Sequence, residues 1–352
     1  MFRRWKKVRS IMSNDIGLDL GTANTLVYKP GEGIVIYEPS VVAVNQKTQK
    51  VVAVGHQACN MLGRTPAHIS AIRPLVNGVI SDFEVAQEML SYLINKAQEN
   101  SKKWLGPSMV IGIPTNITNV ETRAVRDAAK NAGAKRVYII EEPMAAAIGI
   151  RLPIFEPAGN MIIDIGGGTT DIAVISLGGV VKSKNLWVAG DKLIEDIASY
   201  MRNEFKILIG EKTAEDLKIS IASVMDEETP AEKTMRGRDL ITGLPREVVV
   251  TNSDLKEATS QSVDTLVESI KEVLEETPPE IVADIMHRGI YIVGGGAMIK
   301  GIRELIAEWL KIPIHIPEDP MTAVVRGTGI ILENPKDYRE IIIENEDELP
   351  TT

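Results

Sequence analysis

Asp164 opens a run rich in glycine, Asp164-Ile-Gly-Gly-Gly-Thr-Thr-Asp171. The apolar residues before it, Met161-Ile-Ile, and the alternating Ile172-Ala-Val-Ile after it predict two strands joined by a tight turn, a β-hairpin. Three successive glycines let the backbone approach a ligand closely and turn several N–H groups one way, which suits a phosphate. A carboxylate at the mouth repels a bare phosphate. It fits if a hydrated Mg²⁺ lies between them, because Mg²⁺ keeps most of its waters and takes one or two carboxylates. Alone, such a hairpin is a weak signal and reads more readily as a tight structural turn.

The chain repeats the pattern near its start: Ile16-Gly-Leu-Asp19-Leu-Gly21-Thr22-Ala23-Asn24-Thr25 is again strand, Asp-x-Gly, small polar turn and strand. Two such hairpins point to a duplicated α/β unit whose lobes clamp one polyphosphate from opposite sides.

Stepping out from the turns, strands are expected at 16–20, 25–28, 34–37, 41–44 and 51–54, with a short helix at 56–62. Asp82 caps a helix with Val85, Met89, Leu90, Leu93 and Ile94 on one face. Strand 108–113 leads to a helix over 120–132, capped at Thr118-Asn119 and closed by Gly133. Strand 136–140 runs into Glu141-Glu142-Pro143-Met-Ala-Ala-Ala-Ile-Gly149, whose small residues allow close packing. A helix follows Asp191, and another opens near Gly210. Residues 226–239 read as an exposed polar loop, and Ser253 as the cap of a long helix ending at Pro278-Pro279. Strand 290–293 enters a strand-to-helix turn at Gly294-Gly295-Gly296-Ala297, and a final helix covers 319–331.

With 352 residues, 44% apolar and 25% charged, the chain is long enough for two cores and has a globular composition. A formal charge of -9 argues against nucleic acid as a general partner. The single cysteine, Cys59, excludes an internal disulfide and fits a reducing compartment. No apolar run reaches membrane-spanning length, and the basic amino end lacks the core of a secretory signal. The histidines show no metal-ligand spacing. The chain has no G-x-x-x-x-G-K-[ST] motif, and Gly294-x-Gly296 lacks the third glycine of a dinucleotide fingerprint.

Residues 1–12 alternate apolar and basic, with Phe2, Trp5, Val8 and Ile11 against Arg3, Arg4, Lys6, Lys7 and Arg9. Two readings stand: a short helix lying in the headgroup region of an anionic membrane, or a basic tail. Trp104 and Leu105, beside Lys102 and Lys103, form either a second membrane-dipping tip or a turn folded back on the protein.

Five motifs in this order resemble the actin-like ATPase superfamily, whose fold is shared by actin, DnaK-type chaperones and sugar kinases. They are a first phosphate hairpin (Asp19 to Thr25), a connecting helix (Glu141 to Gly149), a second phosphate hairpin (Asp164 to Asp171), an adenosine turn (Gly294 to Ala297) and a second connecting helix (Thr322 to Ile330). Within it, Glu38-Pro-Ser-Val, Asn60-Met-Leu-Gly-Arg-Thr-Pro66, Ile72-Arg-Pro74 and Gly210-Glu-Lys-Thr-Ala-Glu215 resemble the MreB family of bacterial actins. Asp171 and Lys212 depart mildly from that family's commoner Glu and Arg.

The resemblance implies an α/β, actin-like two-lobed fold built from duplicated ribonuclease-H-like units around a central nucleotide cleft. Domain I would comprise 13–156 and 327–352, with a small subdomain at about 44–76; domain II would be 157–326, with one at about 193–256. It implies ATP held by Gly21, Thr22, Ala23 and Asn24 from one side and by Gly166, Gly167, Gly168 and Thr169 from the other. Asp19 and Asp164 would bind Mg²⁺ through water. Glu142, helped by Thr169, would aim the attacking water. Glu211, Lys212, Thr213 and Ala214 would meet the ribose or adenine, with Gly294, Gly295, Gly296 and Ala297 opposite.

It further implies ATP hydrolysis coupled to head-to-tail filaments that pair antiparallel through the 120–132 helix, on the inner face of the cell membrane. The partners it implies are further copies of the chain, that membrane surface, and membrane proteins of cell shape and wall synthesis. A sugar kinase would need a sugar pocket, for which no acid–base residue is evident. A chaperone ATPase would need a further substrate domain.

Overall fold

A computed structural model describes residues 14–99 and 106–343. Phe2, Trp5, Val8, Ile11, Trp104 and Leu105 lie outside the described residues. Two five-stranded sheets carry the architecture. Across the first, the order is Arg136–Glu141, Ser108–Ile113, Ile16–Leu20, Asn24–Lys29, Gly33–Pro39. Across the second it is Gly179–Leu186, Thr170–Ser176, Asn160–Ile165, Ile290–Val293, Ile314–His315.

In each sheet three consecutive strands form an antiparallel meander, and two later strands add in parallel beyond the first. Order and sense therefore match, which gives the expected duplication a physical form and the molecule two α/β lobes. Asp19 and Asp164 occupy corresponding places, each the penultimate residue of its sheet's first strand. Each sheet has its own apolar core, around Leu18, Ile111 and Leu90 in the first lobe and Ile163, Ile292 and Ile270 in the second.

A third core lies where the helices Glu142–Gly149 and Ala323–Glu333 meet between the lobes. Their backbones nearly touch. A Cβ on Gly149 would stand 1.9 Å from the Ala323 carbonyl oxygen, and one on Gly327 would stand 1.8 Å from that of Ala145. The small residues read from the sequence thus allow this crossing. Each lobe also carries a small three-stranded sheet: Val42–Asn45, Lys50–Val54 and Ile69–Ile72 in the first, Ile207–Leu208, Glu232–Asp239 and Pro245–Thr251 in the second.

Several local expectations need correction. Much of the polar stretch 226–239 is not a loop: Glu232–Asp239 is the middle strand of the second small sheet. Its one large apolar residue, Met235, is buried while Arg236 and Arg238 face solvent, so composition masked the alternation. The helix expected at 56–62 is the single turn His56–Cys59. The long helix is capped by Thr251, not Ser253. The Thr251 hydroxyl accepts from the Asp254 N–H at 3.2 Å, and the Asp254 carboxylate accepts from the Thr251 N–H at 2.8 Å. The last helix begins at Ala323 after a 3₁₀ turn at Pro320–Thr322. Among the described residues, no helix is long and apolar enough to cross a membrane.

Candidate functional site

The two glycine turns face each other across a cavity of about 430 Å³ between the lobes. Hydrogen bonds behind each turn set its shape. Ser40 Oγ donates to the Gly21 carbonyl at 2.6 Å, and the Ser40 N–H donates to the Ala23 carbonyl at 2.9 Å. In the second turn the Gly166 N–H donates to Thr169 O at 2.9 Å, and the Asp191 N–H, at the head of helix Gly190–Asn203, donates to Gly167 O at 2.7 Å.

The turns also approach each other. A Cβ on Gly167 would lie 2.6 Å from Ala23 Cβ, and one on Gly168 would lie 2.6 Å from Thr22 Oγ1. Glycine at 167 and 168 keeps the lobes this close, since a side chain at either position would strike the facing turn. Gly78, at the tip of the hairpin Leu75–Val76 and Val79–Ile80, donates its N–H to Thr22 Oγ1 at 2.9 Å.

Carboxylates collect on the floor. Asp19, half-buried on the wall deep between the lobes, is pushed up to about 7 by burial. Asp164 and Glu142 are held well above the usual carboxylate range, by burial first and then by neighbouring acids. Glu142 is the first residue of its helix, where the dipole favours negative charge by about 1 kcal/mol. Burial and the charges of Asp171, Asp19 and Asp164 overcome that help. Without a cation this floor resists full ionisation. With one it becomes a binding surface, so the donor set fits a divalent ion held through water.

Asp171 is not on the cavity wall. It sits 1% exposed behind it and accepts from the Thr115 N–H at 2.7 Å, Thr115 Oγ1 at 2.6 Å and Asn185 Nδ2 at 3.0 Å. The Thr169 hydroxyl bonds to the same carboxylate, which ties that turn residue to the first lobe.

Of the residues expected at the site, Asp19, Gly21, Thr22, Ala23, Asn24, Glu142, Asp164, Gly166, Gly167, Gly168, Thr169, Gly294, Gly295 and Gly296 line the cavity together. Gly294 has φ +80°, and a Cβ there would lie 2.4 Å from Asp164 Oδ1. Glu211, Lys212, Thr213, Ala214 and Ala297 do not line it. Ala214 and Ala297 are buried in the second lobe's cores, and the Glu211 carboxylate is taken by Arg73.

The reason is helical phase. Helix Glu211–Ile221 buries Ala214, Leu217 and Ile221 and turns Glu215, Lys218 and Ile219 to the cavity, with Ala222 at its C-cap. The spacing 215, 218, 219, 222 is a single helical face, a signal present in the sequence. Lys218 is largely enclosed, donates to the Gly190 carbonyl at 3.1 Å, and has its pKa lowered by burial. Tyr37, Asp191, Met298, Lys300 and Met321 complete walls that the motifs did not announce.

The chain is similar to known proteins over most of its length. A family profile described as MreB/Mbl protein matches residues 13–340. The cell shape-determining protein Mbl of Bacillus subtilis (strain 168) is 51% identical over 324 residues, spanning 92% of this chain and 97% of that one. The crystal structure of MreB5 of Spiroplasma citri bound to AMPPNP superposes with a TM-score of 0.87 at 39% identity, covering 92% of this chain and 97% of that one. A MamK double helical filament shares the fold at a TM-score of 0.77 and 23% identity, over 91% of this chain and 98% of that one.

Proposed function

The chain belongs to the MreB/Mbl family, and on that premise we propose that it binds and hydrolyses ATP between its lobes and assembles into membrane-bound filaments. It is an actin-like protein of the cytoskeletal kind. The observation that carries the nucleotide reading is the mutual approach of the two turns, Gly167 to Ala23 and Gly168 to Thr22, over a floor of acids. The S. citri relative that binds an ATP analogue supports the choice of nucleotide.

In this reading the turns Gly21–Asn24 and Gly166–Thr169 cradle the phosphates from opposite lobes through backbone N–H groups, with the Gly166 N–H kept for Thr169 O and the shape of its turn. Mg²⁺, held through its waters by Asp19 and Asp164, would supply neutralising charge at the phosphates. Glu142 holds the attacking water and takes its proton. Pro143 fixes the strand-to-helix junction that aims it. Thr169, bonded to Asp171, helps to orient that water. Most of the catalysis then comes from positioning and charge. Ile219, Ala222, Met298 and Met321 offer apolar contact to a base, while Glu215 and Lys218 stand within the same wall for the ribose.

Filaments and membrane binding belong to the same proposal, supported by the family and by the alternating apolar and basic residues of the amino end. A subunit translated head to tail does not close on itself, and many copies of a weak amino-terminal anchor bind a membrane together through avidity, roughly 10²-fold or more over one copy. Wall synthesis and rod shape would be the cellular outcome.

The test is phosphate release by the purified chain with Mg-ATP, followed alongside light scattering and liposome pelleting. Turnover without any sugar, with polymer and lipid binding appearing together, is the expected result. Turnover that requires a sugar, or lipid binding undiminished in a chain lacking residues 1–12 and carrying Trp104→Ala, contradicts it.

A further inference from the structure

Behind the wall of the cleft the lobes are joined by Thr115 and Asp171. At its mouth a second link crosses: Arg73 Nη2, from the first lobe, donates to Glu211 Oε1, at the head of a second-lobe helix, at 2.5 Å. The Arg73 side chain is only 21% exposed. It also faces Asp191 and Glu215, both on the cavity wall. A largely desolvated guanidinium opposite three carboxylates of the other lobe cannot follow the first lobe outward without losing those partners.

Arg73 stands, moreover, at the base of the hairpin whose tip, Gly78, donates to Thr22 in the first phosphate turn. Ser81 closes that base, its N–H and Oγ donating to the Pro74 carbonyl at 2.9 Å and 3.1 Å. One short rigid piece thus touches the phosphate cradle at one end and the opposite lobe at the other.

We propose that the Arg73–Glu211 pair is a clasp across the mouth of the cleft that sets how fast nucleotide enters and leaves. The clasp rests on the proposed nucleotide site. It differs in kind from a nucleotide contact, because it acts on the gap between lobes. A clasp slows entry as well as exit, whereas a side chain that grips the nucleotide slows exit alone.

The experiment is stopped-flow fluorescence with mant-ADP and Mg²⁺ on the full chain. It compares wild type, Arg73→Met, Glu211→Gln and the double variant carrying both changes. Each single variant is expected to speed both association and release by about fivefold, the scale of a half-exposed ion pair. The double variant should speed both rates no more than Arg73→Met alone, because either change already breaks the pair. Should Arg73→Met fold poorly, Glu211→Gln carries the test, since that carboxylate is 53% exposed and its loss opens no core.

If Glu211→Gln speeds release only and Arg73→Met changes neither rate, Glu211 grips nucleotide directly and the clasp is overturned. Unchanged rates in every variant overturn it too while leaving the nucleotide site standing. A wild-type chain that holds no nucleotide removes the site and the clasp together.

Discussion

Thr115 holds Asp171 from across the lobe boundary, with both its N–H and its hydroxyl directed to the same carboxylate oxygen. Asp171 also pairs in the sheet directly opposite Asp164 and receives the hydroxyl of Thr169. One buried carboxylate therefore fixes the angle between the lobes and the second phosphate turn. Asp171→Ala leaves Thr115 and Asn185 with unmet donors and should cost about 3 kcal/mol in urea denaturation. Asp171→Glu, which keeps the acceptor but adds a methylene at a buried site, should cost less, about 1 kcal/mol. Equal losses in both variants would mean that packing, not the carboxylate, matters there.

Glu142→Ala should retain ATP, measured by fluorescent nucleotide binding, and lose at least about 100-fold in phosphate release. The Glu142 side chain rests against Gly112, whose Cβ would come 3.3 Å from Glu142 Cγ, so the truncation leaves a small gap in the wall but no clash. Release at the wild-type rate would remove Glu142 from the chemistry.

Much of this site was legible beforehand because glycine turns and acidic residues are local signals. The pairing of the two hairpins followed from a repeated pattern, and the matching strand order of the two sheets agrees with it. The wall opposite the first turn is harder to read. Gly210-Glu-Lys-Thr-Ala opens a helix that does line the cavity, but which of its faces meets the cavity depends on how Ala214, Leu217 and Ile221 pack. Glu232–Asp239 has the composition of a loop, and it is the flanking strands, not its own residues, that make it a strand. Arg73 gave no local sign of its partner, since an ion pair between lobes is fixed only by the tertiary fold.

The floor of acids predicts a pH dependence. Asp19 moves from 3.8 to about 7 on folding. A raised carboxylate binds its proton more tightly in the folded state, so it favours folding below pH 4 and loses that contribution as pH climbs toward 7. Asn cannot ionise. The melting temperature of Asp19→Asn relative to wild type, both free of nucleotide and Mg²⁺, should therefore rise steadily between pH 4 and 7 and level off above. A difference constant across that window would reject the burial of this charge.

Gly327→Ala tests the crossing of the connecting helices. Its new Cβ would meet the Ala145 backbone, which has no flexible end to give way. We expect a loss on the order of 3 kcal/mol and reduced ATP turnover, since the same helix pair begins at Glu142. Unchanged melting would mean that the crossing relaxes freely.

Val120, 77% exposed on the helix Asn119–Asn131, is the predicted lateral contact between filaments. Val120→Glu should leave single filaments and abolish pairs in negative-stain micrographs. Persistent pairs would move the contact elsewhere.

The most direct test of the shared clamp is a crystal structure of the full chain with AMPPNP and Mg²⁺. The phosphates should lie between Gly21–Asn24 and Gly166–Thr169, with the metal's waters bonded to Asp19 and Asp164. Phosphates bound by one turn alone, or outside the cleft, would contradict it.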